Sequence, residues 1–416
     1  MSILIRQALI MDPYSEVYGE RKDVLILRGR IEEMADSLNS SKGRKVIEGD
    51  DLRLSPGWID LKAHFCDPGE EFKEDLDTGL RASTRGGFTG VVSSSSTYPP
   101  VDNKGSLKYL KERAKGHKTR LYPSACISKG RQGESLAELT DLSRSGAILM
   151  SDAPDSIRDS GLMLKALLYA KNSGTRISNV PADGEVSPHG VMNEGGMSSL
   201  LGMVGSPHLT ETLALQRDIA LLDYTKSKLH VSGLSTSEGV QLVKAAKRKG
   251  LDITAEVHLA NLLWTDAKLD GFDTRFKLSP PLRNEKDRKA LIKGVKDGTI
   301  DAISSDHRPE DIEHKKIEFG RAAFGLALAE SFFPLYQEHL ADELPLDDFL
   351  RAVTDGPCHV LGFTPARLKV GARAIFTCFD PSQSPDSNVM TKAYNHLVGQ
   401  LPMTGKVIDI SSGPLD

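Results

Sequence analysis

The chain has 416 residues, 39% hydrophobic and 26% charged, with a formal net charge of -4. That charge balance gives no electrostatic case for nucleic acid or an anionic membrane surface as partner, and no apolar run approaches the ~18 residues of a membrane span. The length suits one barrel of roughly 250–300 residues plus a smaller domain.

Residues 1–55 read as short β-rich strands, beginning with Ser2-Ile3-Leu4-Ile5-Arg6 and Asp23-Val24-Leu25-Ile26-Leu27, with Arg28-Gly29-Arg30 as a hairpin turn. The N-terminus lacks the basic start and apolar core of a signal peptide, so the expected location is cytoplasmic. The four cysteines, Cys66, Cys126, Cys358 and Cys378, lie far apart without CxxC spacing. This argues against a disulfide framework or a cysteine zinc site.

Between residues 56 and 362 the pattern alternates. Strand candidates fall at 57–61, 90–94, 120–126, 147–151, 176–180, 229–233, 252–257 and 301–305. Helical periodicity lies between them at 156–172, opened by Ser156 as a cap, at 236–249 and at 284–296. Eight β units with helical crossovers predict an α/β chain folded as a parallel (β/α)8 TIM barrel. An open doubly wound sheet would show an early Gly-rich phosphate loop, and none is present. Residues 363–416 return to β character at Ala374-Ile375-Phe376-Thr377-Cys378-Phe379, which stops at Asp380-Pro381. The two end segments, 1–55 and 363–416, are expected to pair into a small β-sandwich domain.

Reacting groups in such barrels come from the C-terminal ends of the strands. The first strand ends in Lys62, His64 and Cys66, and the second in Ser96. The fourth ends in Asp152 and Ala153, the fifth in Asn179 and Val180, and the sixth in Gly233, with His230 earlier on it. The seventh ends in His258 and the eighth in Asp306-His307. A zinc site needs three or four converging donors. Here His64 and Asp306, with Cys66 or His258, supply at most a mononuclear one. His230 reads as a core histidine satisfied by a backbone hydrogen bond, and His189 and His208 as loop surface residues.

With these residues in view, the chain resembles the dihydroorotase family of the amidohydrolase superfamily. The resemblance runs nearly end to end: Pro56-Gly57-x-Ile59-Asp60, Asp67-Pro68-Gly69-Glu70-Glu71-Phe72-Lys73-Glu74-Asp75, Gly86-Gly87-Phe88-Thr89, Met192-Asn193-Glu194-Gly195, Ser279-Pro280-Pro281-Leu282-Arg283, Asp297-Gly298-Thr299-Ile300-Asp301, Ser305-Asp306-His307 and Phe324-Gly325-Leu326. It implies a barrel flanked by a β-sandwich. It also implies a zinc-dependent hydrolysis of a cyclic amide in pyrimidine synthesis, with a metal-bound hydroxide as nucleophile and the eighth-strand aspartate as proton shuttle.

Carried over residue by residue, the implied site is largely replaced. The His-x-His pair is Lys62-Ala63-His64; the acid after the fourth strand falls at Ala153, and the fifth- and sixth-strand histidines at Val180 and Gly233. Only His64 and Asp306 remain of the metal-ligand positions. On the substrate side, Cys66 stands for an arginine and Ser96 and Ser279 for asparagines, while His307 is kept. An ammonium about 4 Å from a dication, at an effective dielectric of about 20, meets roughly 8 kcal/mol of repulsion. Lys62 is therefore expected to replace the metal and pair with Asp306. The chain is expected to need no cofactor, or zinc if a mononuclear remnant persists. It reads as a dihydroorotase-like pseudoenzyme with a scaffolding or regulatory role, partnered by aspartate transcarbamoylase, as the resemblance implies, or by copies of itself. The alternative is a hydrolase of cyclic amide C–N bonds with an altered, mononuclear or metal-free site.

Overall fold

In the computed structural model, which describes residues 2–39 and 43–415, the strands are β1 (Ser2–Ile10), β2 (Arg21–Leu27), β3 (Arg30–Ala35), β4 (Lys45–Ile47), β5 (Arg53–Pro56), β6 (Trp58–Ala63), β7 (Phe88–Ser93), β8 (Arg120–Pro123), β9 (Leu149–Met150), β10 (Arg176–Asn179), β11 (Met192–Asn193), β12 (Gly205–Ser206), β13 (Leu229–Val231), β14 (Ile253–His258), β15 (Ala302–Ser304), β16 (Phe376–Asp380) and β17 (Lys406–Ser411). Residues 1, 40–42 and 416 of the two predicted end segments lie outside the described residues.

Eight of these strands form the barrel, each at one of the positions the alternation predicts. The order β6-β7-β8 makes one parallel run and β9-β10-β13-β14-β15 the other. Parallel bridges close the ring between Ala125 and Met150 and between Ala63 and His307. β6, β7 and β14 are buried at every residue, as expected of strands covered on both faces. Their period of two still sorts the side chains. Asp60, Lys62 and His64 share one face, as do Thr254, Glu256 and His258.

The helices begin where their caps dictate. Thr236 accepts from the Gly239 amide at 2.9 Å and Asn284 from the Asp287 amide at 3.1 Å, opening Ser237–Arg248 and Glu285–Lys296. The third predicted helix starts later than expected, at Ser160, capped by Asp159 rather than Ser156. The Ile157 amide is held by Asn179 at 3.0 Å, and Arg217 binds the carbonyls of Ile157 and Arg158. This stretch is thereby fastened to the end of β10 and cannot enter the helix.

The chain ends share one seven-stranded sheet, ordered β17-β16-β5-β1-β2-β3, with β4 pairing to β1. It closes over its own apolar core, including Ile5, Val24, Ile31, Leu54 and Phe376. Trp58, fully buried at the foot of β6, joins this unit to the barrel. Its ring packs on Phe333, Phe349 and Phe379 at centroid distances of 5.4–5.6 Å. No helix among the described residues is long and apolar enough to cross a membrane.

Candidate functional site

At the C-terminal end of the barrel, Lys62 and His64 project from the end of β6, His258 from β14, and Asp306 from the turn after β15. The Lys62 ammonium lies 3.3 Å from Asp306 Oδ1 and 3.5 Å from His258 Nε2. His258 Nδ1 lies 3.4 Å from Asp306 Oδ2, and His64 Nε2 is 3.9 Å from Asp306 Oδ1. Lys62, His64 and His258 are all more than nine-tenths buried.

An ammonium has protons only to give, so His258 Nε2 faces it as acceptor and Nδ1 carries the proton toward Asp306. Burial presses the His258 pKa down, outweighing the opposing pull of Asp306. The ring is thus a neutral bridge in a Lys62–His258–Asp306 triangle. Burial pushes the Asp306 carboxyl up, but His258, Lys62, His64 and Arg308 overcome it and hold it at about 2. Asp306 also sits at φ +43°, a left-handed conformation that aspartate tolerates better than most residues. His64 hydrogen-bonds Ser96 Oγ through Nδ1 at 3.0 Å and is kept well below its usual pKa, first by burial and then by Arg308.

Beneath the triangle is Glu256, a buried carboxylate that the sequence analysis did not single out. It accepts from Ser232 Oγ at 2.7 Å and faces His230 Nε2 at 3.8 Å. Burial raises its pKa, but His230, His258 and Lys62 bring it to about 2. The period of β14, which places Glu256 on the face of His258, was the available signal. His230 is a core residue, but its hydrogen bond is to the Thr254 hydroxyl at 2.9 Å, not to backbone.

The other predicted positions are dispersed. Asp152 accepts from the amides of Ile127 and Ser128 and from the Ser128 hydroxyl, so both its oxygens are committed to that loop. Asn179 binds the Ile157 amide and Asp218. Ala153 and Val180 offer no donor atom. His307 is fully buried: its Nδ1 accepts from the Ala329 amide at 3.2 Å and its Nε2 faces Glu74 at 3.5 Å, behind the mouth. Cys66, at φ +58°, and Ser96 line a mouth cavity of about 130 Å³ together with His64. Ser279 is partly exposed and precedes Pro280, which packs near Gly233.

Gly233 leaves room for the His258 ring. It sits at φ +86°, and a Cβ there would come within 2.7–2.8 Å of the His258 ring. His258 occupies the space that a side chain from position 233 would need. These residues do not fit a pair of metal ions: the donors reduce to His64, His258 and Asp306, and a cation already contacts two of them.

His208 is a correction to the surface reading. It heads helix Leu209–Thr225, with Nδ1 3.1 Å from Glu238 and Nε2 3.1 Å from Asp287, each in the first turn of another helix. With both nitrogens facing carboxylates, it is an imidazolium clamp on three helix starts. His189 is exposed as expected. A larger cavity of about 580 Å³ opens away from the mouth, near Arg85 and Asp409, but its charges are paired: Arg85 with Glu330, Lys118 with Asp409, and Lys406 with Asp386.

An eight-stranded barrel with polar residues converging at its C-terminal mouth and a sheet built from both termini defines an amidohydrolase-type protein. A family model described as Dihydro-orotase-like matches residues 52–239. The chain is 40% identical over 394 residues to a dihydroorotase from Thermus aquaticus, covering 92% of this chain and 91% of that one. It is 36% identical over 392 residues to a dihydroorotase from Ruminiclostridium cellulolyticum, covering 94% and 91%. The chain belongs to the dihydroorotase family. In fold it is similar to the L-hydantoinase of Arthrobacter aurescens, with a TM-score of 0.85 at 17% identity, covering 99% of this chain and 95% of that one.

Proposed function

We propose that this chain is a catalytically silent member of the dihydroorotase family that has kept the barrel and exchanged its metal centre for an internal ion pair. The observation that carries the reading is the Lys62 ammonium, 3.3 Å from Asp306 and 3.5 Å from His258. A hydrolysis of this type needs a nucleophile made from water near neutral pH, which a metal supplies by lowering the water pKa. It also needs a free aspartate to carry the proton. Here Oδ1 of that carboxylate faces Lys62 and Oδ2 faces His258. The mouth cavity of about 130 Å³ is well below the ~300–1,000 Å³ usual for small-molecule sites.

The role that remains is that of a scaffold or regulator. Aspartate transcarbamoylase is the partner to test by co-purification, with self-association as the other outcome. The deciding assay is dihydroorotate turnover, in both directions, with and without added zinc or manganese. The reading expects none above background under any condition; turnover that depends on Asp306 would overturn it.

One observation favours a second reading, a mononuclear or altered hydrolase of cyclic amides. His64 Nε2 and Asp306 Oδ1 are buried without a hydrogen-bond partner, and a single zinc held there would satisfy both. Hydrolysis of any cyclic ureide in a panel, lost in His64→Ala, would establish it.

A further inference from the structure

The loop after β15 carries a charge that the pairing described above does not use. Arg308 is half-buried on the wall of the mouth cavity, and among the described residues its guanidinium makes no hydrogen bond or ion pair. Its backbone is fixed on both sides, with the amide donating to Leu326 O at 3.0 Å and the carbonyl accepting from Asn395 at 2.9 Å. Its stem lies over Gly325, at φ +135°, where a Cβ would come within 2.8 Å of Arg308 Cγ. That close approach leaves no room for a side chain at position 325. An arginine held in place yet unpaired in a partly desolvated site lacks the charge-assisted bonds that normally compensate it.

A second arginine shares the wall. Arg131 binds Asp155 through Nε and Nη2, both at 3.0 Å, which leaves Nη1 without a partner among the described residues. The two carboxylates of the cavity, Glu70 and Glu310, are both engaged by Lys73, at 2.8 and 3.2 Å. The cavity is therefore polarised.

We infer that the mouth is a binding site for a compact oxyanion, held by Arg308 and Arg131. The inference deepens the proposed function by giving the metal-free mouth a ligand. Its residues are not among those that the family resemblance implied for substrate, Cys66, Ser96, Ser279 and His307. The cavity of about 130 Å³ admits an ion of a few heavy atoms, and a planar guanidinium suits either a phosphate or a carboxylate.

The test is calorimetric titration of the purified full-length protein with inorganic phosphate and, separately, malonate, on wild type, Arg308→Ala and Arg308→Lys. At least one probe is expected to bind saturably at one site. Arg308→Ala is expected to weaken it about tenfold or more, and Arg308→Lys by less. The melting temperature of each variant is read without ligand alongside the titrations, which separates lost binding from lost folding. No saturable binding of either probe, or equal binding by wild type and Arg308→Ala, overturns the inference. The readout is binding alone, so failure here is distinct from the appearance of turnover or bound metal, which would instead count against the silent-enzyme reading.

Discussion

Two ionic clusters at the same end of the barrel use nearly the same residue types and arrive at opposite protonation states. The central one joins Lys62, His258 and Asp306 in the dry interior; the rim one joins His208, Glu238 and Asp287 across three helix starts. In the centre, burial and a neighbouring ammonium keep histidine neutral. On the rim, the hydrogen bond to Asp287 outweighs partial burial and raises His208 above its ordinary value. Carboxylates in the first turn also suit the positive ends of the helices starting at Ser237 and Glu285. A list of His, Asp and Glu is therefore not a ligand set. What matters is whether a fixed cation already fills the point where their lone pairs would meet, or whether the histidine has become the cation.

The comparison is tested most severely at Lys62. Lys62→Met leaves the Asp306 carboxylate buried without its counterion and should cost about 3–5 kcal/mol in urea unfolding. The double variant Lys62→Met/Asp306→Leu should recover much of that loss, because removing both charges spares the uncompensated one. A single-variant loss below about 1 kcal/mol would mean that the pair is not formed. Next in size is Gly233→Ala, which forces a positive-φ position to carry a methyl against the His258 ring. About 1–3 kcal/mol of destabilisation is expected, read from the same unfolding curves.

The smallest effect, at the rim, is also the most diagnostic. His208→Gln should cost about 0.5–1 kcal/mol, since the clamp is partly exposed. The two clusters also predict opposite pH slopes. His208 has a raised folded pKa, so its contribution is complete below the unfolded value of 6.5 and is lost as pH climbs through the folded value. His258 and His64 have lowered folded pKa values, so their sites are most stable above 6.5 and weaken as pH falls toward the folded values. Between about pH 6 and pH 9, wild type should therefore lose stability relative to His208→Gln. Parallel curves would remove the clamp.

The barrel was readable from the chain because each buried parallel strand is a short apolar run between turn residues, and all eight runs lie where the alternation placed them. The helix start near Ser156 was not. The stretch from Ser156 to Ser160 offers several caps, and the choice is made by Asn179 and Arg217, which are distant in sequence. At the site, the sequence shows that Val180 and Gly233 bring no donor atom and that Lys62 brings a cation. The packing around them could not be read. The His258 ring over Gly233, the clamp on His208 and Arg308, unpaired among the described residues, are products of tertiary proximity, and only the period of two along β14 hinted that Glu256 and His258 share a face.

The central claim is that an ammonium occupies the place of a metal. Elemental analysis of protein expressed in zinc-supplemented medium and then dialysed tests it most directly. Well under one equivalent of tightly held metal per chain is predicted, unchanged in His64→Ala. One or two equivalents that survive dialysis, and that disappear when His64 or Asp306 is replaced, would contradict it.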